Sequence, residues 1–123
     1  MSNGITVSVE VRFIERESDP ENRRYVYAYT ITIANEGPFT AQLINRYWRI
    51  TNGDGEQQVV EGPGVVGKQP TLEPGEAFRY TSAAVIETPV GSMEGHYEFH
   101  TSDSDAFLVP IPAFSLSQPE LLH

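Results

Sequence analysis

The chain has 123 residues, enough for one domain with a hydrophobic core, and carries 17 acidic residues, eight basic residues and no cysteine. Its formal net charge of −9 repels nucleic-acid phosphates and anionic membrane surfaces, and the lack of Cys excludes disulfides and thiolate metal sites. We therefore expect a single domain over residues 1–123 that binds neither nucleic acid nor membrane, and the absence of a leader pattern makes the cytoplasm the predicted location.

The first half of the chain alternates apolar and polar residues, which is the period-two pattern of half-buried β-strands. Residues 5–13 alternate strictly, and residues 25–35 resume the pattern after a polar interruption. The segment from Asn35 to Pro38 predicts a turn, because Asn and Gly tolerate positive φ and Pro cannot donate a hydrogen bond. A third strand is predicted at about residues 40–51, with one face carrying Ile44, Trp48 and Ile50 and the other carrying Leu43 and Tyr47.

The second half continues with short strands between turn signals. Asn52-Gly53-Asp54-Gly55 predicts a hairpin into a short strand at about residues 57–61. Further strands are predicted over residues 77–86, around residues 96–100 and over residues 107–116, where Pro110 and Pro112 indicate an edge strand. No segment has a helical pattern. The sequence thus predicts an all-β, immunoglobulin-like antiparallel β-sandwich of about seven strands, with a core that includes Trp48, Tyr97 and Phe99.

The segment GPGVVGKQP, residues 62–70, satisfies G-x-G-x-x-G and also has the G-x-x-x-x-G-K spacing of a phosphate loop. Both kinds of nucleotide site need a helix directly after the loop, and Pro70 and Pro74 oppose one. We predict no NAD or ATP binding and no cofactor. The favoured interpretation is a structural or partner-contacting loop, and a helix-free backbone nest for pyrophosphate-like anions stays open. The loop residues concerned are Gly62, Gly64, Val65, Val66, Gly67 and Lys68.

The best metal candidates are His96, Glu98 and His100, which alternate outward on a predicted strand. Neighbours two apart can converge on one ion if an adjacent strand supplies a third ligand. His96 and His100 alone are about 13 Å apart at the rise of a strand and cannot share an ion. A solvated polar face is the favoured reading, and no catalytic constellation such as G-x-S-x-G is found.

Several separated segments, RYVYAYTITIANEG, RYWRITNGDGE, VVEGPGVVGKQPTLEPGE and PIPAFSL among them, resemble the bacterial ApaG family over nearly the whole chain. The resemblance implies a cytoplasmic immunoglobulin-like or fibronectin type III-like β-sandwich from a family linked to cobalt tolerance and magnesium efflux, without an agreed biochemical activity. We expect a non-catalytic protein-interaction module that contacts an unidentified protein or a second copy of itself. The alternative is a small-ligand sensor or carrier, binding an anion at residues 62–68 or a divalent cation at the histidine row.

Overall fold

Two antiparallel β-sheets pack face to face in the structure, a computed structural model that describes residues 4–103 and 105–118. The strands are β1 (Ile5–Phe13), β2 (Tyr25–Asn35), β3 (Ala41–Asn52), β4 (Gln57–Pro63), β5 (Thr71–Leu72), β6 (Ala77–Ile86), β7 (Gly91–Thr101) and β8 (Ala106–Leu116). The smaller sheet has the order β1-β2-β6. The larger sheet has the order β4-β3-β7-β8, with β5 paired to the start of β3.

The predicted all-β sandwich is confirmed. In the described residues the helical segments are two single 3-10 turns, Glu15–Glu17 and Pro20–Asn22, and no helix is long and apolar enough to cross a lipid bilayer. The short strand β5 is not among the predicted strands. β8 lies at an edge of the larger sheet, as its two prolines predict.

The core fills the space between the sheets and is rich in aromatic side chains. Trp48, Tyr97 and Phe99 are all buried there, as predicted. Trp48 makes edge-to-face contacts with Tyr29 of the opposite sheet and with Tyr97 and Phe114 of its own. Such aromatic pairs each add about 0.5–1.5 kcal/mol to the stabilisation from burial, so this cluster joins the two sheets.

On β3, Trp48 and Ile50 face the core and Tyr47 faces away from it, as predicted, but the predicted placement of Leu43 on the face of Tyr47 is wrong because the strand contains a β-bulge. Leu43 pairs with Phe99 of β7, but the next pair joins Asn45 to Glu98, so Ile44 is an extra residue. Leu43 and Trp48 can therefore both face the core although five positions separate them. The bulge also places Asn45 and Tyr47 on the outer face of the larger sheet and Arg46 on its inner face.

A buried asparagine holds the connections at one end of the sandwich. Asn35 is fully buried, and its Nδ2 donates to the carbonyl oxygens of Phe39 at 2.9 Å and Leu72 at 2.8 Å. Its side-chain oxygen accepts a hydrogen bond from the Gly37 amide at 3.0 Å. One side chain thus ties the β2–β3 turn to β5.

Candidate functional site

The predicted histidine row lies on the outer face of the larger sheet, where its three side chains are partly exposed. On the neighbouring strand Tyr47 pairs with His96, and Asn45 pairs with Glu98. The rings of Tyr47 and His96 stack with centroids 4.9 Å apart and planes 10° from parallel. The pairing of β3 with β7 therefore places an aromatic and an amide side chain beside the histidine row, and the sequence pattern did not predict these neighbours.

Glu98 is the centre of a hydrogen-bonded group on this face. Asn45 Nδ2 donates to Glu98 Oε1 at 2.9 Å, and His100 Nε2 lies 2.7 Å from Glu98 Oε2. His96 stays apart from this group on the Tyr47 ring. Within residues 4–103 and 105–118, no three His, Cys, Asp or Glu side chains are grouped so that they could hold a metal ion. The metal assignment of His96, Glu98 and His100 stays a prediction, with Glu98 and His100 in contact with each other.

The hydrogen bond from Asn45 lowers the pKa of Glu98 below its ordinary value of 4.5, and the contact with His100 adds to this. Asn45→Ala removes the larger cause, so we expect the Glu98 pKa to rise towards 4.5. A lowered native pKa stabilises the fold at pH values above the pKa of the unfolded chain, and that stabilisation is lost as pH falls through the native value.

The measurement is an NMR titration of the Glu98 side-chain carboxyl in wild type and in Asn45→Ala. Asn52→Ala serves as the control, because Asn52 donates to a different carboxylate, Glu56. An unchanged Glu98 pKa in Asn45→Ala would contradict this assignment of cause.

A hollow of about 420 Å³ lies on the same outer face. Its lining comes from four strands: Asn45, Arg46, Tyr47, Glu61, Gly62, His96, Glu98 and Leu108. Glu61 is exposed, and the ion pairs of the described residues do not include it. Leu108 at one side of the hollow is 57% exposed, and Val59, two residues before Glu61 on the edge strand β4, is 52% exposed. The face thus combines free acidic charge with exposed apolar side chains, a combination that the sequence pattern did not reveal.

The glycine loop is a tight β-turn followed by β5, with no helix after it, as the two prolines predict. The Val65 amide donates to the Lys68 carbonyl at 2.8 Å, and the Lys68 amide donates back to the Val65 carbonyl at 2.9 Å. Val66 and Gly67 form the corner with φ angles of 43° and 79°. Val66 is β-branched, and holding such a residue at positive φ costs roughly 1–3 kcal/mol.

The loop valines have opposite environments. Val65 is 1% exposed and packs into the core, so the prediction that it offers a contact to another protein is wrong for this residue. Val66 is 53% exposed at the tip and stays available. The alternation of direction in a tight turn separates the two side chains, although both belong to the same apolar run.

Several backbone amides of the loop already donate hydrogen bonds within the domain. The Gly64 amide donates to the Ile44 carbonyl at 2.8 Å, and the amides of Val65 and Lys68 close the turn. Gly62 packs against the Arg46 guanidinium, since a Cβ at this position would lie 3.3 Å from Arg46 Nη1. These uses explain the glycines structurally, and they leave fewer amides for the backbone anion nest than the fingerprint suggested.

Comparison with known proteins gives one consistent family. Residues 15–101 match the ApaG domain family. The curated protein ApaG of Pectobacterium atrosepticum is 51% identical over 119 residues, which cover 97% of this chain and 95% of the relative. Protein ApaG of Acidithiobacillus ferrooxidans is also 51% identical, with 97% and 94% covered. A crystal structure of the protein described as ApaA from Bordetella pertussis matches with a TM-score of 0.92 at 47% identity, covering 94% of each chain.

Proposed function

The chain belongs to the ApaG family, and we propose that it is a non-catalytic recognition module that binds a basic segment of a partner protein on the outer face of its larger sheet. The observation that carries the proposal is the hollow whose lining includes both the exposed side chain of Leu108 and the carboxylate of Glu61, which forms no ion pair within the described residues. Interfaces that recognise charged segments combine such complementary charge with apolar anchors.

The charge of the chain favours a basic partner. A net charge of −9 attracts segments rich in Lys and Arg, and Glu61 offers them a carboxylate that forms no ion pair with the residues the structure describes. The stacked rings of Tyr47 and His96 offer an aromatic face on which a guanidinium can pack, a contact worth about 0.5–1 kcal/mol at an exposed site. A second copy of the chain would carry the same negative charge, so the charge balance favours a different protein over a homodimer.

Apolar side chains extend the proposed surface in two directions. Leu108 and Val59 lie on the same sheet face, and Arg46 lines both the outer hollow and the cavity beside the glycine loop. The exposed tip residue Val66 replaces Val65 as the contact that the loop contributes. The positive φ of the exposed Val66 costs local stability, and such strain occurs at binding sites, which supports a role for Val66 in binding.

The family link to cobalt tolerance and magnesium efflux fits a recognition role of this kind. A module that binds a protein acts on cation handling through that protein, and it needs no metal ligands of its own. Among the residues described, Glu98 is engaged by Asn45 and His100, which supports recognition over direct cation binding.

The test uses a synthetic peptide of alternating Arg and Leu with blocked termini, titrated into the isotope-labelled chain. We expect NMR shifts concentrated at Tyr47, His96 and Leu108, and affinity that falls with added salt. Glu61→Lys should weaken binding by about tenfold, because it replaces an attractive charge with a repulsive one. Glu21→Lys makes the same change in net charge on an exposed 3-10 turn away from this face and should leave most of the affinity.

Three results would contradict the proposal. The first is equal weakening by Glu61→Lys and Glu21→Lys, which would indicate nonspecific attraction to the net charge. The second is a set of peptide-induced shifts confined to the smaller sheet. The third is a stable dimer in sedimentation velocity that Leu108→Asp dissociates, since this face would then bind a second copy of the chain.

A further inference from the structure

A second cavity, of about 210 Å³, lies beside the glycine loop and is separate from the histidine row. The smaller sheet contributes Tyr29, Tyr80 and Ser82 to its wall, and the larger sheet contributes Arg46 and Trp48. The loop residues 65–67 complete the lining. At about 30 Å³ for each water molecule, the space equals about seven waters, which is enough for a small organic molecule.

Arg46 is the only cationic side chain in this lining, and it is held firmly. Its Nη1 donates to the carbonyl oxygens of Pro63 at 3.0 Å and Gly64 at 3.1 Å, and Gly62 packs against the guanidinium plane. Yet Arg46 takes part in none of the ion pairs among the described residues, in a chain with 17 acidic residues. A partly buried cation is costly without an anion, so this one is a candidate for pairing with a ligand.

Hydroxyl groups surround the same space. The side chains of Ser82 and Tyr29 both line it, and the hydroxyls of Tyr80 and Tyr97 hydrogen-bond to each other. Burial raises the pKa of Tyr29 and of Tyr80, whereas the Arg46 charge acts in the opposite direction on both. The hydroxyls of Tyr29 and Tyr80 are therefore neutral and able to donate hydrogen bonds. The charge of Arg46, on the larger sheet, acts electrostatically on both of these tyrosines of the smaller sheet.

We propose that this cavity binds a small organic monocarboxylate, whose carboxylate pairs with Arg46 and whose apolar part contacts Trp48 and the exposed side chain of Val66. One guanidinium matches one carboxylate in charge, and the planar fork suits its two oxygens. Inorganic phosphate fits less well, because its second negative charge has no cation in the lining and it has no apolar part to place against Trp48. The cavity shares Arg46 with the lining of the outer hollow, but its other lining residues differ and the proposal does not depend on the proposed function.

The chain offers a direct reporter, because Trp48 is its single Trp and lines the cavity. Sodium benzoate is the probe, titrated while the indole N–H signal of Trp48 is followed by NMR. We expect a saturable shift of this signal and competition by acetate at higher concentration. Arg46→Gln should weaken benzoate binding at least tenfold, whereas Arg49→Gln, which removes the same charge from a residue paired with Glu94, should not.

Arg46→Gln also removes the hydrogen bonds from Arg46 to the loop and could disturb the fold. A second variant therefore tests the proposal independently. Ser82→Val fills part of the cavity and leaves the charge in place, so it should also weaken benzoate binding at least tenfold. The proposal is overturned if benzoate produces no saturable shift, if Ser82→Val binds as tightly as the wild type, or if Arg49→Gln weakens binding as much as Arg46→Gln. Tighter binding of inorganic phosphate than of benzoate would equally overturn the assigned ligand class.

Discussion

Asn35→Asp is expected to lower the free energy of unfolding by about 4 kcal/mol at pH 7. Asn35 is fully buried, and its amide group donates to two carbonyl oxygens, those of Phe39 and Leu72. A carboxylate has nearly the same shape but no N–H, so the change replaces two attractive contacts with two repulsive ones. It also places a charge where no cation is bonded to the side chain.

The loss should depend on pH in a defined direction. Burial raises the pKa of the introduced carboxyl above its value of about 3.9 in the unfolded chain. A group whose native pKa is raised contributes its stabilisation below the unfolded pKa and loses it as pH rises through the native pKa. Urea denaturation of the variant and the wild type at several pH values should therefore show the smallest difference at the most acid pH.

Asn52→Asp is the matched control. The Asn52 side-chain oxygen also accepts backbone amides, from Asp54 and Glu56, but it lies in an exposed hairpin turn. The change also places a carboxylate beside that of Glu56, to which Asn52 donates, but solvent screens the two charges at this exposed position, so we expect a loss of about 1 kcal/mol or less. Equal losses in the two variants, or a difference for Asn35→Asp that grows as pH falls, would show that Asn35 does not have the buried donor role assigned to it.

At Asn35, the local sequence predicts the turn but not the distant contact of the side chain. Asn35 followed by Gly37 and Pro38 predicts a turn from residue chemistry alone, and the turn is present. The contact with Leu72 is made 37 positions away in the chain. No periodicity encodes such a contact, because it depends on where β5 pairs with β3.

The candidate site was predictable only in part, for the same reason. Period two places His96, Glu98 and His100 on one outer face, and they lie there. Their neighbours depend on the strand order and on the extra residue at Ile44, which shifts the register of β3 against β7. The pairing of Tyr47 with His96 therefore required the structure.

The glycine loop shows the complementary situation, in which local chemistry predicts most of the outcome. Two prolines oppose a helix after the loop, and β5 follows it. What the sequence could not distinguish was the direction of two adjacent valines. Val65 enters the core and Val66 faces solvent because the turn closes between Val65 and Lys68.

Gly95→Ala is expected to destabilise the fold by about 4 kcal/mol, a large fraction of the stability of a domain of this size. Gly95 lies in β7 opposite Trp48, beside the place where the pairing with β8 shifts by a residue. A Cβ on Gly95 would overlap the Tyr47 carbonyl oxygen and lie 2.9 Å from the Tyr47 carbonyl carbon and 3.1 Å from Trp48 Cα. All three atoms belong to the backbone, so no side chain can rotate to relieve the overlap.

The two central strands of the larger sheet must therefore separate at the position where Trp48 packs against the opposite sheet, which weakens both the strand pairing and the aromatic contacts. Gly55→Ala is the matched control, since Gly55 has a φ of 84° but nothing within 4 Å of the added carbon, and left-handed strain alone costs about 1–2 kcal/mol. Chemical denaturation followed by circular dichroism compares the two variants with the wild type. If Gly95→Ala loses no more stability than Gly55→Ala, the close approach of β3 and β7 at this glycine does not exist in the folded protein.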